Sequence, residues 1–177
     1  PTSLADALRV FLVARTIRNL RGQVDKHASM LVNASRFTRM QGILRTRLHE
    51  VLDDIKNALR VNGATGAVAD LDPEIAELKR VWDDEFSASE FDWPEVRAAL
   101  YNAVASAKVV EVNSARNDLD YSSSVKRGVT VIAVGGFSLS RGLTLEGLTT
   151  TWFLRNTMMY DTLMQMGRWF GYRMGYD

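Results

Sequence analysis

The stretch Val129-Thr-Val-Ile-Ala-Val134 is an apolar, β-branched run that stops at Gly135-Gly136. A run of this composition, bounded by glycines, reads as a strand of the kind parallel sheets bury beneath covering helices. A polar loop bearing glycines follows from Ser138 to Gly147, and a second strand candidate spans Thr149 to Leu154. Asn156 or Thr157 is placed to cap a helix, because Asn and Thr side chains accept from the orphan amides of a first turn. That helix carries Arg168 and Arg173. Parallel strands present ligand sites in the loops at their carboxyl ends, and the guanidinium fork suits phosphate. The C-terminal fifty or so residues therefore point to a surface that handles nucleotide or nucleic acid.

The rest of the chain alternates in the same way. Leu4, Leu8, Phe11, Leu12, Ile17 and Leu20 recur near helical spacing from Pro1 to Gly22, with Arg9, Arg15, Arg18 and Arg21 interspersed. His27 to Asn33 reads as a short buried strand. A long amphipathic helix is expected from about Thr38 to Val61, with Ile43, Leu44, Leu48, Val51, Leu52, Ile55 and Leu59 facing inward. Asn62 to Pro73 has turn residues and no clear period, which predicts a surface connection. Pro73 to about Asp84 is an acidic helix, and Trp93-Pro94-Glu95 starts another that runs to about Ala107, since proline is tolerated in a first turn. Lys108 to Asn113 is a strand, and Ser114 to Gly128 is a polar connection. Strands separated by helices predict an α/β fold with a mostly parallel sheet, helices on both faces, and a helical insertion at about 62–107.

At 177 residues this is one domain's worth of chain. No apolar run reaches the eighteen or so residues of a membrane span, and no signal-peptide pattern opens the chain, so a cytoplasmic setting is expected. Without cysteine there is no thiolate metal site, and with only His27 and His49 a zinc site or histidine-based nuclease is disfavoured; no metal ligands are assigned. Net charge of +1 hides an uneven distribution: residues 1–60 hold eleven Lys/Arg against five Asp/Glu, and residues 61–100 hold three against ten. The basic first third either favours a polyanion or consists of ordinary solvated helix faces.

Ser140-Arg-Gly-Leu-Thr-Leu-Glu-Gly147, followed by Gln165-Met-Gly-Arg-Trp-Phe-Gly-Tyr-Arg173, resembles the fifth and sixth motifs of superfamily-two helicases. More closely, the same text is similar to the Z-one domain family. That family is helicase-associated, is also described as a candidate endonuclease domain, and is linked to bacterial restriction–modification systems. The match is specific over roughly Thr130 to Asp177. Met30 to Gln41 resembles the fourth helicase motif. The resemblance implies a single domain, the second RecA-like domain of a superfamily-two ATPase. It implies that Gly142 lets the backbone approach nucleotide, and that Thr144 and Glu146 flank the same cofactor site. Ser35, Arg36, Arg39, Ser140 and Arg141 would contact DNA phosphate. Gln165, Arg168 and Arg173 would face the nucleotide, one arginine acting as a finger on the γ-phosphate. Asp161, Gln165, Arg168 and Tyr172 share one helical face, whereas Arg173 falls off it unless Gly171 bends the helix. Two departures stand out: the arginines are five apart rather than three, and Thr144 sits where many helicases carry aspartate.

No G-x-x-x-x-G-K-[ST] loop and no Asp-Glu pair after an apolar strand occur in the chain. ATP with Mg²⁺ is therefore expected to be bound mainly by a partner domain, the first RecA-like domain of the same polypeptide, from which this chain has been excised. DNA is the other expected partner, with restriction nuclease or methyltransferase subunits as further candidates. Two competing readings remain. Glu77-Leu-Lys79, with Asp72 upstream, matches part of a nuclease signature but has helical rather than strand context. A degenerate RecA-like module would instead bind DNA or protein without catalysis.

Overall fold

The computed structural model describes residues 2–33, 38–112, 128–135 and 145–153. In chain order these form α1 (Thr2–Leu20), β1 (Ala28–Asn33), α2 (Thr38–Asn62), a short 3₁₀ helix (Gly66–Leu71), α3 (Pro73–Glu85), α4 (Trp93–Val104), β2 (Lys108–Val112), β3 (Thr130–Gly135) and β4 (Leu148–Phe153). The four strands make one sheet in the order β2-β3-β1-β4, and every pairing is parallel. The fold is α/β, a parallel sheet flanked by helices and consistent with a RecA-like arrangement, as the alternation of strand and helix patterns predicts.

β1 and β3 are buried at every position, which explains their lack of a polar face. Alternate residues go to opposite sides of the sheet. Met30, Val32, Val109, Ile132, Val134 and Trp152 join the main core together with residues of all four helices, and Leu31, Val112 and Ala133 form a smaller second cluster.

The helix α1 lies inside this arrangement, touching α3, α4, β1 and β4. Its arginines are consequently not a solvated face. Arg9, Arg15 and Arg18 are all below a tenth exposed. Arg9 pairs with Asp6 and Glu74, at 3.5 and 3.0 Å, while Arg15 and Arg18 donate to the carbonyls of Lys26 and His27, at 2.7 and 3.3 Å. A buried cation persists only where such partners compensate its lost hydration. Neither sequence-level reading of the basic first third describes these residues, because their partners come from other elements.

The middle of the chain is fastened to the same core by Ala69, Ile75, Leu78, Trp93, Val96 and Leu100. Asp72 caps α3, accepting from the amides of Glu74 and Ile75, and Asp92 closes a capping box with Glu95 at the start of α4. The stretch expected to be a plain surface connection contains the 3₁₀ helix instead. It is held by buried Ala69 and by Asp70, whose Oδ1 accepts from Trp93 Nε1 and Arg97 Nη1, each at 3.0 Å. On α2 the inward stripe is Leu44, Leu48, Leu52, Ile55 and Leu59. Ile43, expected inward, is 55% exposed, because it lies about 100° around the helix from Leu44. The helix α4 ends at Val104 rather than Ala107, and Lys56 Nζ donates to the Ala107 carbonyl at 2.6 Å. No helix among the described residues is long and apolar enough to cross a membrane.

Candidate functional edge of the sheet

Parallel strands all finish at one edge, so segments far apart in sequence leave the sheet side by side. The register makes this explicit: Asn33 is aligned with Gly135 on one side and Phe153 on the other, and Val112 is aligned with Gly135. The chain therefore departs toward residues 34–37, 136–144 and 154–177 from adjacent positions on one carboxyl edge. These are the three stretches that carry most of the motif residues. Ser35, Arg36, Ser140, Arg141, Gly142, Thr144, Gln165, Arg168 and Arg173 themselves lie outside the described residues.

What the structure describes at this edge is polar and partly cationic. Asn33 is 3% exposed at the end of β1, and Gln41, in the opening turns of α2, is 5% exposed. Burying an amide is costly without partners, so two of them beside strand ends mark a polar junction rather than ordinary core. Arg39 is exposed near the start of α2. Arg45 reaches Glu111, on β2, at 3.6 Å and ties α2 to that strand. Asn33 and Gln41 were not singled out from the sequence, although an asparagine closing an apolar strand was a legible signal.

Glu146 is not brought to that edge. It precedes β4, whose six residues span about 17–20 Å, and so it sits at the amino edge of the sheet. Its carboxylate is 3.6 Å from His27 Nε2, and its carbonyl accepts from Ser29 Oγ at 2.7 Å. It lines a cleft of about 490 Å³ with Arg18, Gln23, Asp25, Lys26, His27 and Gly147. Within the cleft Asp25 pairs with Lys26 at 3.0 Å, and the Lys26 hydrogen bond holds the Asp25 carboxyl below its ordinary range.

A second cleft, of about 400 Å³, lies between α2 and α4 and is lined by Asp53, Lys56, Asn57, Arg60, Tyr101 and Ala105. Loss of hydration pushes the Lys56 ammonium below the usual lysine range, an effect that the nearby Asp53 opposes. Glu77 and Lys79, the nuclease-like pair, lie on α3 and are engaged with Arg80 and Asp83 at 3.1 and 2.6 Å. Among the described residues no group of three or more His, Asp or Glu side chains is placed to hold a metal ion.

Comparison with known proteins agrees with the motif text on the family. The Z1 domain model matches residues 3–177. No curated protein matches the chain, and no solved structure does. Nearly the whole length is thus accounted for by one family description, and the chain belongs to the Z1 domain family.

Proposed function

We propose that this chain is the C-terminal RecA-like half of a DNA-dependent superfamily-two helicase or translocase ATPase of a restriction–modification or related DNA-processing system. One observation carries the reading. Asn33, Gly135 and Phe153 are adjacent in register, so the three motif-bearing segments leave the sheet from one edge, where parallel α/β folds assemble ligand sites. The described donors there are the amides of Asn33 and Gln41 and the guanidinium groups of Arg39 and Arg45. That set suits the phosphate side of a nucleotide or a DNA backbone. It does not suit a magnesium ion, which takes oxygen ligands in a near-octahedral shell. In this reading ATP and Mg²⁺ are held mainly by a first RecA-like domain, and Gln165, Arg168 and Arg173 reach the bound nucleotide from this half. Arg39, with Ser35, Arg36, Ser140 and Arg141, follows the DNA backbone.

The test is DNA-stimulated ATP hydrolysis by the longest natural polypeptide containing this chain, intact and as Arg168→Ala or Arg173→Ala. An arginine finger contributes about 10³–10⁵ in turnover, so one substitution is expected to abolish measurable hydrolysis while nucleotide binding persists. Turnover unaffected by either change would refute the motor reading and leave a non-catalytic DNA- or protein-binding module.

A further inference from the structure

Three parallel strands begin around one imidazole. His27 immediately precedes β1, and Val129 immediately precedes β3. The Val129 carbonyl accepts the Ala28 N–H at 2.9 Å, an ordinary rung between the two strands. In an evenly spaced parallel ladder the Val129 N–H would next donate to the Lys26 carbonyl. That carbonyl is occupied by the buried Arg15 guanidinium at 2.7 Å. The Val129 N–H donates instead to Nδ1 of His27, at 3.0 Å. On the other side the chain entering β4 closes in: Ser29 N–H donates to the Gly147 carbonyl at 2.8 Å, and Ser29 Oγ to the Glu146 carbonyl at 2.7 Å. The neighbouring backbones leave no slack, since a Cβ at Gly128 would overlap the Lys26 carbonyl and one at Gly147 the His27 carbonyl.

An imidazole nitrogen that accepts a hydrogen bond carries no proton. The Val129 contact therefore selects the neutral tautomer protonated on Nε2, which faces Glu146 at 3.6 Å. We infer that His27 is a pH-sensitive clasp at the amino edge of the sheet: its neutral form completes the β1–β3 ladder, and its doubly protonated form opens it. In the open form Nδ1–H and Val129 N–H are two donors with no acceptor between them. The charged groups around the ring act in both directions. Glu146, from the turn before β4, and Asp25 favour the imidazolium, while Lys26 and Arg18, whose Nη1 is 3.3 Å from the His27 carbonyl, disfavour it. On the approach to β3, the described residues beside the ring, Gly128 and Val129, are uncharged. The ladder uses the neutral base, so the clasp is closed while Nδ1 accepts from Val129 N–H and open once Nδ1 carries a proton. By favouring the imidazolium, Glu146 promotes the opening. The device lies at the opposite end of the strands from the edge proposed to face nucleotide, and does not depend on that proposal.

Hydrogen exchange of the longest natural polypeptide containing the chain, at pH 7.5 and pH 5.5 and corrected for intrinsic rates, tests the clasp. In the unsubstituted protein, peptides spanning 24–33 and 128–135 are expected to lose about five- to tenfold of their protection at the lower pH, the equivalent of one backbone hydrogen bond. His27→Asn places an amide oxygen near the Nδ1 position and cannot titrate, so its protection is expected to be the same at both values. Glu146→Gln is expected to reduce the loss, because it removes the carboxylate that favours the imidazolium. Unchanged protection in the parent, or an equal loss in His27→Asn, would overturn the inference. Ring ¹⁵N shifts of the unsubstituted protein give a second readout that needs no variant: the Nε2–H tautomer is expected at neutral pH, and the Nδ1–H tautomer would overturn it.

Discussion

Replacing Asp70 by alanine tests whether the segment between α2 and α3 is a fastening or a loop. Asp70 Oδ1 accepts from two donors, Trp93 Nε1 and Arg97 Nη1, each at 3.0 Å. Both donors belong to buried residues, Trp93 at 5% exposure and Arg97 at 9%. Truncation removes the charge partner that Arg97 has among the described residues, and takes the acceptor away from an indole N–H and a guanidinium N–H. A buried donor left unmet costs about 1–3 kcal/mol. The Asp70 side chain is itself 25% exposed, so water reaches part of the gap and the lower end of that range applies to each donor. The two together come to about 2–3 kcal/mol, or about 5–10 °C in Tm for a chain of this size. Asp70→Asn keeps an acceptor for the indole but removes the charge, and is expected to lose about half as much. Leu71→Ala, at an 81% exposed neighbour, serves as the control and is expected to change nothing. Denaturant unfolding with an unchanged m value is the assay. An Asp70→Ala midpoint equivalent to a loss under about 0.5 kcal/mol would refute the reasoning.

Two further perturbations discriminate between causes. Gly22 and Gly147 both have positive φ, 83° and 66°, but a Cβ at Gly22 meets nothing within 4 Å whereas one at Gly147 would overlap the His27 carbonyl. Gly22→Ala is expected to cost about 1–2 kcal/mol from backbone strain alone, and Gly147→Ala distinctly more; equal unfolding midpoints would show that the close approach is not limiting. The Arg21 hydrogen bonds, at 2.6 and 2.9 Å, hold the Glu90 carboxyl at about 2, against an ordinary value of 4.5. A carboxylate favoured by the folded state contributes stability that is present above its unfolded value and lost as pH falls toward the folded one. Relative to Glu90→Gln, the parent is therefore expected to lose stability between about pH 5 and pH 2, and a Glu90 carboxyl resonance titrating near 4.5 would contradict the pairing.

The strands and helices were legible because their signals are local. An apolar β-branched run closed by glycine, as at Val129–Gly135, and a stripe such as Leu44, Leu48, Leu52, Ile55 and Leu59 each report one element's own burial. The helix starts at Pro73 and Trp93-Pro94 were legible for the same reason, since proline suits a first helical turn, whereas the Asp72 and Asp92 caps were found in the structure. Ile43 shows the limit of such reading: an apolar residue beside a stripe is counted inward until the helix is placed against a particular sheet. The motif text was readable as a family signature, and the family model spans nearly the whole chain.

Which charges are structural was not legible. Arg9, Arg15 and Arg18 have the spacing of any basic helix, and only the arrival of Glu74, Lys26 and His27 from other elements turns them into buried, bonded groups. The same is true of Asp70, Asn33 and His27, each defined by residues far along the chain. The sequence by itself determined the element types, the parallel α/β class and the family, because periodicity, caps and motif spacing are short-range properties of the chain. The strand order β2-β3-β1-β4, the alignment of the ends of β1, β3 and β4 at one edge, and the placing of Glu146 at the other were decided only by the tertiary structure. Packing brings together groups that no sequence window contains, and a charge or imidazole takes its role from whatever it then faces.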